Sequence, residues 1–433
     1  MVPNFIESIT LDVQNNPMAK TRRNKMSPLA NSQKPLRLGA VGMGRAFTVM
    51  LPTLVRDPRI QLVAGADPRR EAQQKFERDF NGHAFENCEL LLKKSNIDIV
   101  YLATPVELHL EQIKMITAAG KHVLLEKPMA LTIKDAQQIN KMVKKAGVHM
   151  IVGHSHGFNR PIEKSREIIQ SGKYGRLKML TALNYTDFMY RPRRPDELLT
   201  RKGGGVVFSQ AAHQIDIIRI LGGGRLKNIR ANTGNWDPNR KTEGAYNAFL
   251  TFEDGTTATS VYSGYAHFDS DEFMGWKSEL GNKKHANEYW QARKRLKAKL
   301  RNKSEADLKS SQNFGGINYK PNFTGQNKNS RYQHFGTVIA SCEGADIRPM
   351  PWGVAIYGND EFIEEKLPAQ SIPRSEVIDE IINAIYHDIS PTHDGNWALA
   401  NLEVSLAILN SSKNNQEINL KHQISNAVKT NER

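Results

Sequence analysis

The sequence predicts an α/β protein whose first ordered half folds as a doubly wound parallel sheet of the Rossmann type. Three observations carry that expectation. Short apolar runs alternate with longer amphipathic stretches from residue 36 to residue 152. The first run stops at a glycine turn, Gly42-Met43-Gly44, and the second ends on an acidic residue, Asp67.

Taken in order, Leu36–Val41 is a strand entering the turn, Ala46–Val55 a helix, and Ile60–Ala66 a second strand. In such a βαβ unit Gly42 permits the tight turn and Gly44 lets the backbone approach a pyrophosphate. The helix start at Arg45 and Ala46 then offers free N–H groups to the anion. Phe47 stands where the motif usually has a third Gly or Ala, which weighs against close packing of helix on strand. Asp67 is placed to accept a ribose 2′-hydroxyl and favours NAD. Arg69 and Arg70 follow it and can receive a 2′-phosphate, so NADP stays open. Further strands are expected at Asp98–Ala103, His122–Leu125 and His149–Val152, with helices at Val106–Ala119 and Ile133–Ala146. Ligands of such sheets bind beyond the carboxyl ends of the strands. Two polar clusters sit there, Thr104-Pro105 with His109, and Glu126-Lys127-Pro128.

Composition bounds the rest. The 433 residues, 39% hydrophobic and 24% charged, suffice for two domains of roughly 100 to 200 residues and exclude fibrous or low-complexity classes. Two cysteines, Cys88 and Cys342, are too few for a disulfide framework and suit the cytoplasm. No apolar stretch is long enough for a membrane span or a secretory signal, and the polar residues 1–35 read as a disordered leader. The net charge of +15 is unevenly spread: residues 281–331 hold 13 basic against 3 acidic groups, and residues 332–433 hold 7 against 14. Arg293 to Arg301 reads as a basic helix in a solvated insertion. An anion-facing surface is the alternative, and nucleic acid is not the expected partner.

Beyond the first half the motifs are informative together. Ala103-Thr104-Pro105 with His109, Glu126-Lys127-Pro128, and Gly203-Gly204-Gly205 followed by His213 and Asp216 resemble the glucose-fructose oxidoreductase and inositol dehydrogenase (Gfo/Idh/MocA) family. The resemblance implies a Rossmann domain over 36–155 and an α+β domain over 156–420 with an open, mostly antiparallel sheet. It also implies C-terminal helices that pack back on the Rossmann domain, a tail over 421–433, a nicotinamide cofactor and homo-oligomers. Lys127 is then the catalytic lysine, His213 the histidine that meets the substrate hydroxyl, and Pro128 follows a cis peptide bond. Thr104, Pro105, His109, Glu126 and Lys127 adjoin the cofactor. Physical chemistry supports the lysine: an ammonium at a strand end, partly desolvated, has its pKa lowered toward neutrality, and Glu126 can orient it. Ser209 departs from the family, which has an aspartate there. It either positions substrate or leaves proton abstraction mainly to Lys127.

The segment around Ser209 and His213, preceded by Tyr190-Arg191-Pro192-Arg193-Arg194, resembles the branch that contains phthalate cis-4,5-dihydrodiol dehydrogenases. Arg191, Arg193 and Arg194, with Arg160 as a further substrate-side residue, suit an anionic cyclic diol because guanidinium groups bind carboxylates with two parallel hydrogen bonds. A solvated loop or an oligomer contact is the other reading of that run. The spacing of His154 and His156 lacks the accompanying ligands of a metal site, and none is expected. The expected activity is NAD(P)-dependent oxidation of a carboxylated cis-dihydrodiol to a catechol. The alternatives are a sugar, inositol or polyol dehydrogenase, and a cofactor-binding regulator that uses the basic insertion.

Overall fold

In the computed structural model the described residues are 34–153, 155–286, 291–300, 303–320 and 331–426. The leader expected over residues 1–35 lies outside them but for its last two residues, as does His154.

The first half runs β1 (Leu36–Val41), α1 (Arg45–Arg56), β2 (Ile60–Ala66), α2 (Arg70–Phe80), β3 (His83–Phe85), α3 (Cys88–Lys94) and β4 (Ile99–Leu102). It continues with α4 (His109–Ala118), β5 (His122–Leu125), α5 (Ile133–Ala146) and β6 (Met150–Val152). The six strands are parallel in the order β3-β2-β1-β4-β5-β6. All four residues of β4 are buried, because helices cover both faces of the sheet and a central strand becomes an unbroken apolar run. The helix α5 starts where the Thr132 hydroxyl accepts from Asp135 N and stops at Gly147 in the left-handed region. Helix α2 was not expected, since it buries only Ala72 and Phe76 among charged residues. Strand order reverses between β1 and β4, which opens a crevice at their carboxyl ends.

The second half contains α6 (Arg160–Gln170), β7 (Leu177–Tyr185), α7 (Ala212–Leu221), β8 (Leu226–Gly234), β9 (Ala245–Phe252), β10 (Thr257–Ser263), α8 (Gln291–Lys299) and α9 (Glu305–Gln312). After these come β11 (Thr337–Cys342), β12 (Ala345–Met350), β13 (Gly353–Gly358), β14 (Phe362–Lys366), α10 (Ser375–His387), α11 (Gly395–Asn414) and β15 (Ile418–Asn419). Nine strands form one sheet, β14-β13-β12-β11-β7-β10-β9-β8-β15, antiparallel except where β7 meets β10. Its inner face packs on Ile162 of α6, Ile215 and Ile218 of α7, and Val404 and Ile408 of α11. Helix α11 also packs against α5 of the first sheet. The outer face is open: Met179, Ser341, Asp346, Tyr357 and Phe362 follow one another across paired strands, and Met179, Tyr357 and Phe362 are exposed.

Within the expected solvated insertion over 281–331, α8 buries only Leu296, and the described residues beyond it include buried ones. Leu308 is buried, and Phe314 has no exposed surface, packed edge-on against Phe47 at 5.3 Å. That contact explains how α1 tolerates a phenylalanine where small residues are usual: Phe47 is fully buried under a ring supplied from elsewhere in the chain. No described helix is long and apolar enough to cross a membrane.

Candidate active site

The glycine turn is built for a close approach. Gly42 has φ +89°, and a Cβ there would lie 2.7 Å from the Ala103 carbonyl oxygen. A Cβ on Gly44 would meet nothing within 4 Å, so that side of the turn is open. Helix α1 starts at Arg45 after Gly44 with no side-chain cap, which leaves the first-turn N–H groups, those of Arg45 and Ala46 included, to an outside acceptor. The Asp67 carboxylate at the end of β2 accepts from Met43 N at 2.7 Å and tethers the turn. An open cradle, uncapped amides and a carboxylate at the strand end fit a dinucleotide. Asp67 is not a bare acceptor, however: Arg69 Nε donates to it at 2.9 Å and Arg69 Nη2 at 3.1 Å.

The two loops beyond β4 and β5 meet beneath this turn. Thr104 Oγ1 bonds Gln112, and Pro105 leads into a short 3₁₀ turn over Val106–Leu108. His109, expected to adjoin the cofactor, is buried between these two loops. Its ring is 1% exposed and lies 3.1 Å from the Thr104 carbonyl and 3.2 Å from that of Met129, so it ties the loops together from below. Burial lowers its pKa, and a neutral ring donates to one carbonyl at a time. Glu126 accepts from Tyr101 Oη at 2.6 Å, and burial raises its pKa. The Lys127–Pro128 bond is cis. Lys127 Nζ donates to the Ser209 carbonyl at 2.6 Å, and burial, reinforced by the Arg193 charge against the opposing pull of Glu126 and Glu279, lowers its pKa to about 8.

Ser209 reaches Lys127 because Val207–Ala211 is a π turn feeding into α7, a widened geometry common at functional sites. The serine contributes its main-chain oxygen here. His213 follows one turn later, its ring edge-on to His156 at 5.0 Å and tilted on Phe335 at 4.8 Å. Asp216, a further turn along, anchors the helix: it accepts from Trp397 Nε1 at 2.6 Å and Asn401 Nδ2 at 3.0 Å and pairs with His393 at 3.4 Å. His393 also meets Glu380 at 2.7 Å, and between the two carboxylates its pKa rises to about 10 despite burial.

The arginine run divides. Arg191 bridges Asp187 at 2.7 Å and Glu279 at 3.2 Å, and its charge is felt by Arg45, while Arg193 lies over the Phe188 ring at 3.6 Å and acts on Lys127. The Nε of Arg193 is buried with no hydrogen-bond partner among the described residues. Arg194 is instead exposed beside Glu197, and Arg160 is held by Glu167 at 2.7 Å and Glu163 at 3.3 Å. The substrate-side expectation for Arg160 is therefore corrected: it lines a separate groove with Glu380, Asn383 and Ser390. Two charged residues were missed. Glu279 faces Lys127 and Arg191 from a segment without periodicity. Arg374, buried and donating to the Val49 carbonyl at 2.6 Å, puts a second cation near Glu126 and Arg45. Neither carries a motif in the sequence: Glu279 lies among Lys277, Ser278 and Asn282, and Arg374 is followed by Ser375 and Glu376.

Comparison with known proteins agrees with this geometry. Residues 36–154 match an oxidoreductase family with an NAD-binding Rossmann fold, GFO/IDH/MocA, and residues 162–275 match the C-terminal domain of the same family. A 1-carboxy-3-chloro-3,4-dihydroxycyclohexa-1,5-diene dehydrogenase from Comamonas testosteroni is 43% identical over 379 residues, 87% of this chain and 95% of that one. A Bordetella bronchiseptica RB50 protein of solved structure superposes with a TM-score of 0.83 at 37% identity, over 89% of this chain and all of that one. The WlbA dehydrogenase from Bordetella pertussis, solved with NADH and UDP-GlcNAcA, shares the fold with a TM-score of 0.60 at 21% identity, over 89% of this chain and 99% of that one.

Proposed function

The chain belongs to the GFO/IDH/MocA family of NAD-binding oxidoreductases, and on that premise we propose that it oxidises a carboxylated cyclic cis-dihydrodiol to the corresponding catechol. The observation that carries the reading is Lys127: an amine with pKa about 8, held on the Ser209 carbonyl within reach of the Arg193 charge. Gly42, Gly44, the α1 amides and the Asp67 region would hold NAD, which when bound would supply the hydride acceptor. Lys127 in its neutral form takes the proton of the carbinol hydroxyl, and His213 orients that hydroxyl from α7. The ring ketone so formed enolises with loss of a ring proton, and aromaticity makes the sequence downhill. Arg191 and Arg193 hold the carboxylate, which fixes the carbinol carbon relative to Lys127. Glu126, fastened by Tyr101, keeps the ammonium oriented after proton transfer.

The test is NADH formation by the purified chain with the chlorinated carboxy-diol, phthalate cis-4,5-dihydrodiol, inositol and glucose at matched concentrations. Turnover confined to the carboxylated diols supports the proposal, and turnover confined to inositol or glucose refutes it. A second reading, oxidation of an uncharged polyol, draws on the pairing of Arg191 with Asp187 and Glu279, which already neutralises that cation. The proposal also carries a cytoplasmic location and a homo-oligomer joined through the open face of the nine-stranded sheet.

A further inference from the structure

Residues 303–320 run from the arginine-bearing loop to the Rossmann sheet. At one end the Glu305 carboxylate accepts from Arg193 N at 2.9 Å and from Arg240 Nη1 at 2.9 and 3.0 Å, and Lys309 pairs with Glu197. At the other end Phe314 is fully buried, edge-on to Phe47 and stacked on Phe80 at 5.9 Å, with the Lys75 ammonium 5.6 Å from its ring. Gly315, at φ +82°, lies flat on α2: a Cβ there would come within 2.7 Å of the Ala72 Cα. The segment is thus pinned on both sides of the crevice.

What it delivers is a carbonyl. Phe314 O accepts from Arg69 Nη1 at 3.1 Å, while Arg69 Nη2 also donates to Met43 O at 2.9 Å. With the two bonds to Asp67, four of the five guanidinium N–H groups are committed. Asp67 in turn accepts from Met43 N and from the main-chain N of Arg69 at 3.0 Å. Arginine and carboxylate at the end of β2 are therefore a closed pair. A 2′-phosphate on the adenosine ribose requires the guanidinium detached and turned outward, and must otherwise sit against the Asp67 carboxylate. A ribose 2′-hydroxyl is uncharged and makes no such demand.

We propose that Phe314 is a cofactor-selecting residue: by anchoring Arg69 on Asp67 it keeps the adenosine end of the site closed to 2′-phosphorylated dinucleotides. The inference rests on the NAD-binding Rossmann domain and is independent of which diol is oxidised.

The experiment is equilibrium binding of NADH and of NADPH to the purified full-length chain, read by cofactor fluorescence without substrate. Failure of the diol assay leaves this measurement intact. The wild type binds NADH in preference. Phe314→Ala raises NADPH affinity by about tenfold, the worth of one charge-assisted pair, with NADH little changed. Adding Arg69→Ala to Phe314→Ala removes the gain, because the released guanidinium is its source. If Phe314→Ala fails to fold, Gly315→Ala lifts the same carbonyl while keeping the ring, and gives the same gain. A wild type that prefers NADPH, an unchanged NADH to NADPH ratio in the variant, an equal loss of both dinucleotides, or a gain that survives Arg69→Ala each overturns the proposal.

Discussion

Removing the imidazole from the Asp216–His393–Glu380 network perturbs a charge that the structure prices clearly. His393 is 3% exposed, its ring stacked on Phe158 at 3.6 Å, with carboxylates at 2.7 and 3.4 Å. A histidine moved from its ordinary 6.5 to about 10 favours the imidazolium in the folded chain by roughly 5 kcal/mol, at 1.36 kcal/mol per pKa unit. The same attraction holds the Asp216 carboxyl well below the usual carboxylate range, so it is counted once. Because the folded value is raised, this stability is fully present below pH 6.5 and is lost as pH rises through about 10. His393→Gln leaves two buried carboxylates without their cation and is expected to cost about 3–5 kcal/mol near neutral pH. Urea unfolding of wild type and variant between pH 6 and pH 10.5 is the assay. The gap between them should be widest at the acid end and shrink toward pH 10. A gap that stays constant across the range would mean that His393 is neutral and that the network is held by packing alone.

Other expectations concern the site. Lys127→Ala should lower turnover by about 10²–10⁴-fold with NADH binding unchanged, and wild-type kcat/KM should rise with pH through about 8 as the amine loses its proton; a flat profile would remove Lys127 as the base. Gly42→Ala forces a Cβ to within 2.7 Å of the Ala103 oxygen at a positive φ, so fluorescence titration should show NADH affinity falling at least about tenfold. Arg191→Ala should raise KM for a carboxylated diol about 10- to 100-fold with a smaller effect on kcat, whereas Arg160→Ala, already paired with Glu167, should leave both near wild type.

Much of the Rossmann half was legible because its signals are local. β1, β2 and β5 begin and end where the apolar runs do, and Gly42 and Asp67 occupy fixed places in one βαβ unit. Helix α2 escaped because a polar surface helix with two buried residues leaves little periodicity to detect. Lys127, Ser209 and His213 were marked by motif, yet the contact that joins the first two runs through a main-chain carbonyl, and a motif names side chains. The departure at Ser209 was visible, but the carboxylate that faces Lys127, Glu279, comes from a stretch with no motif at all.

The residues that sequence reading missed share a cause. Arg191 meets Glu279 across 88 positions, Arg69 meets the Phe314 carbonyl across 245, and Arg374 meets Val49 across 325. Periodicity and spacing inspect windows of tens of residues, so charges brought together by chain topology look like solvated surface until the sheets are in place. The basic insertion is the clearest instance. Its charge count suggested a solvated insertion, with an anion-facing surface as the alternative, while two of its residues do their work through an acid and an aromatic ring: Glu305 on Arg193 and Arg240, and Phe314 on Phe47. A cation-rich composition therefore says little about what a segment recognises; its minority residues, placed where buried partners await them, decide where it docks.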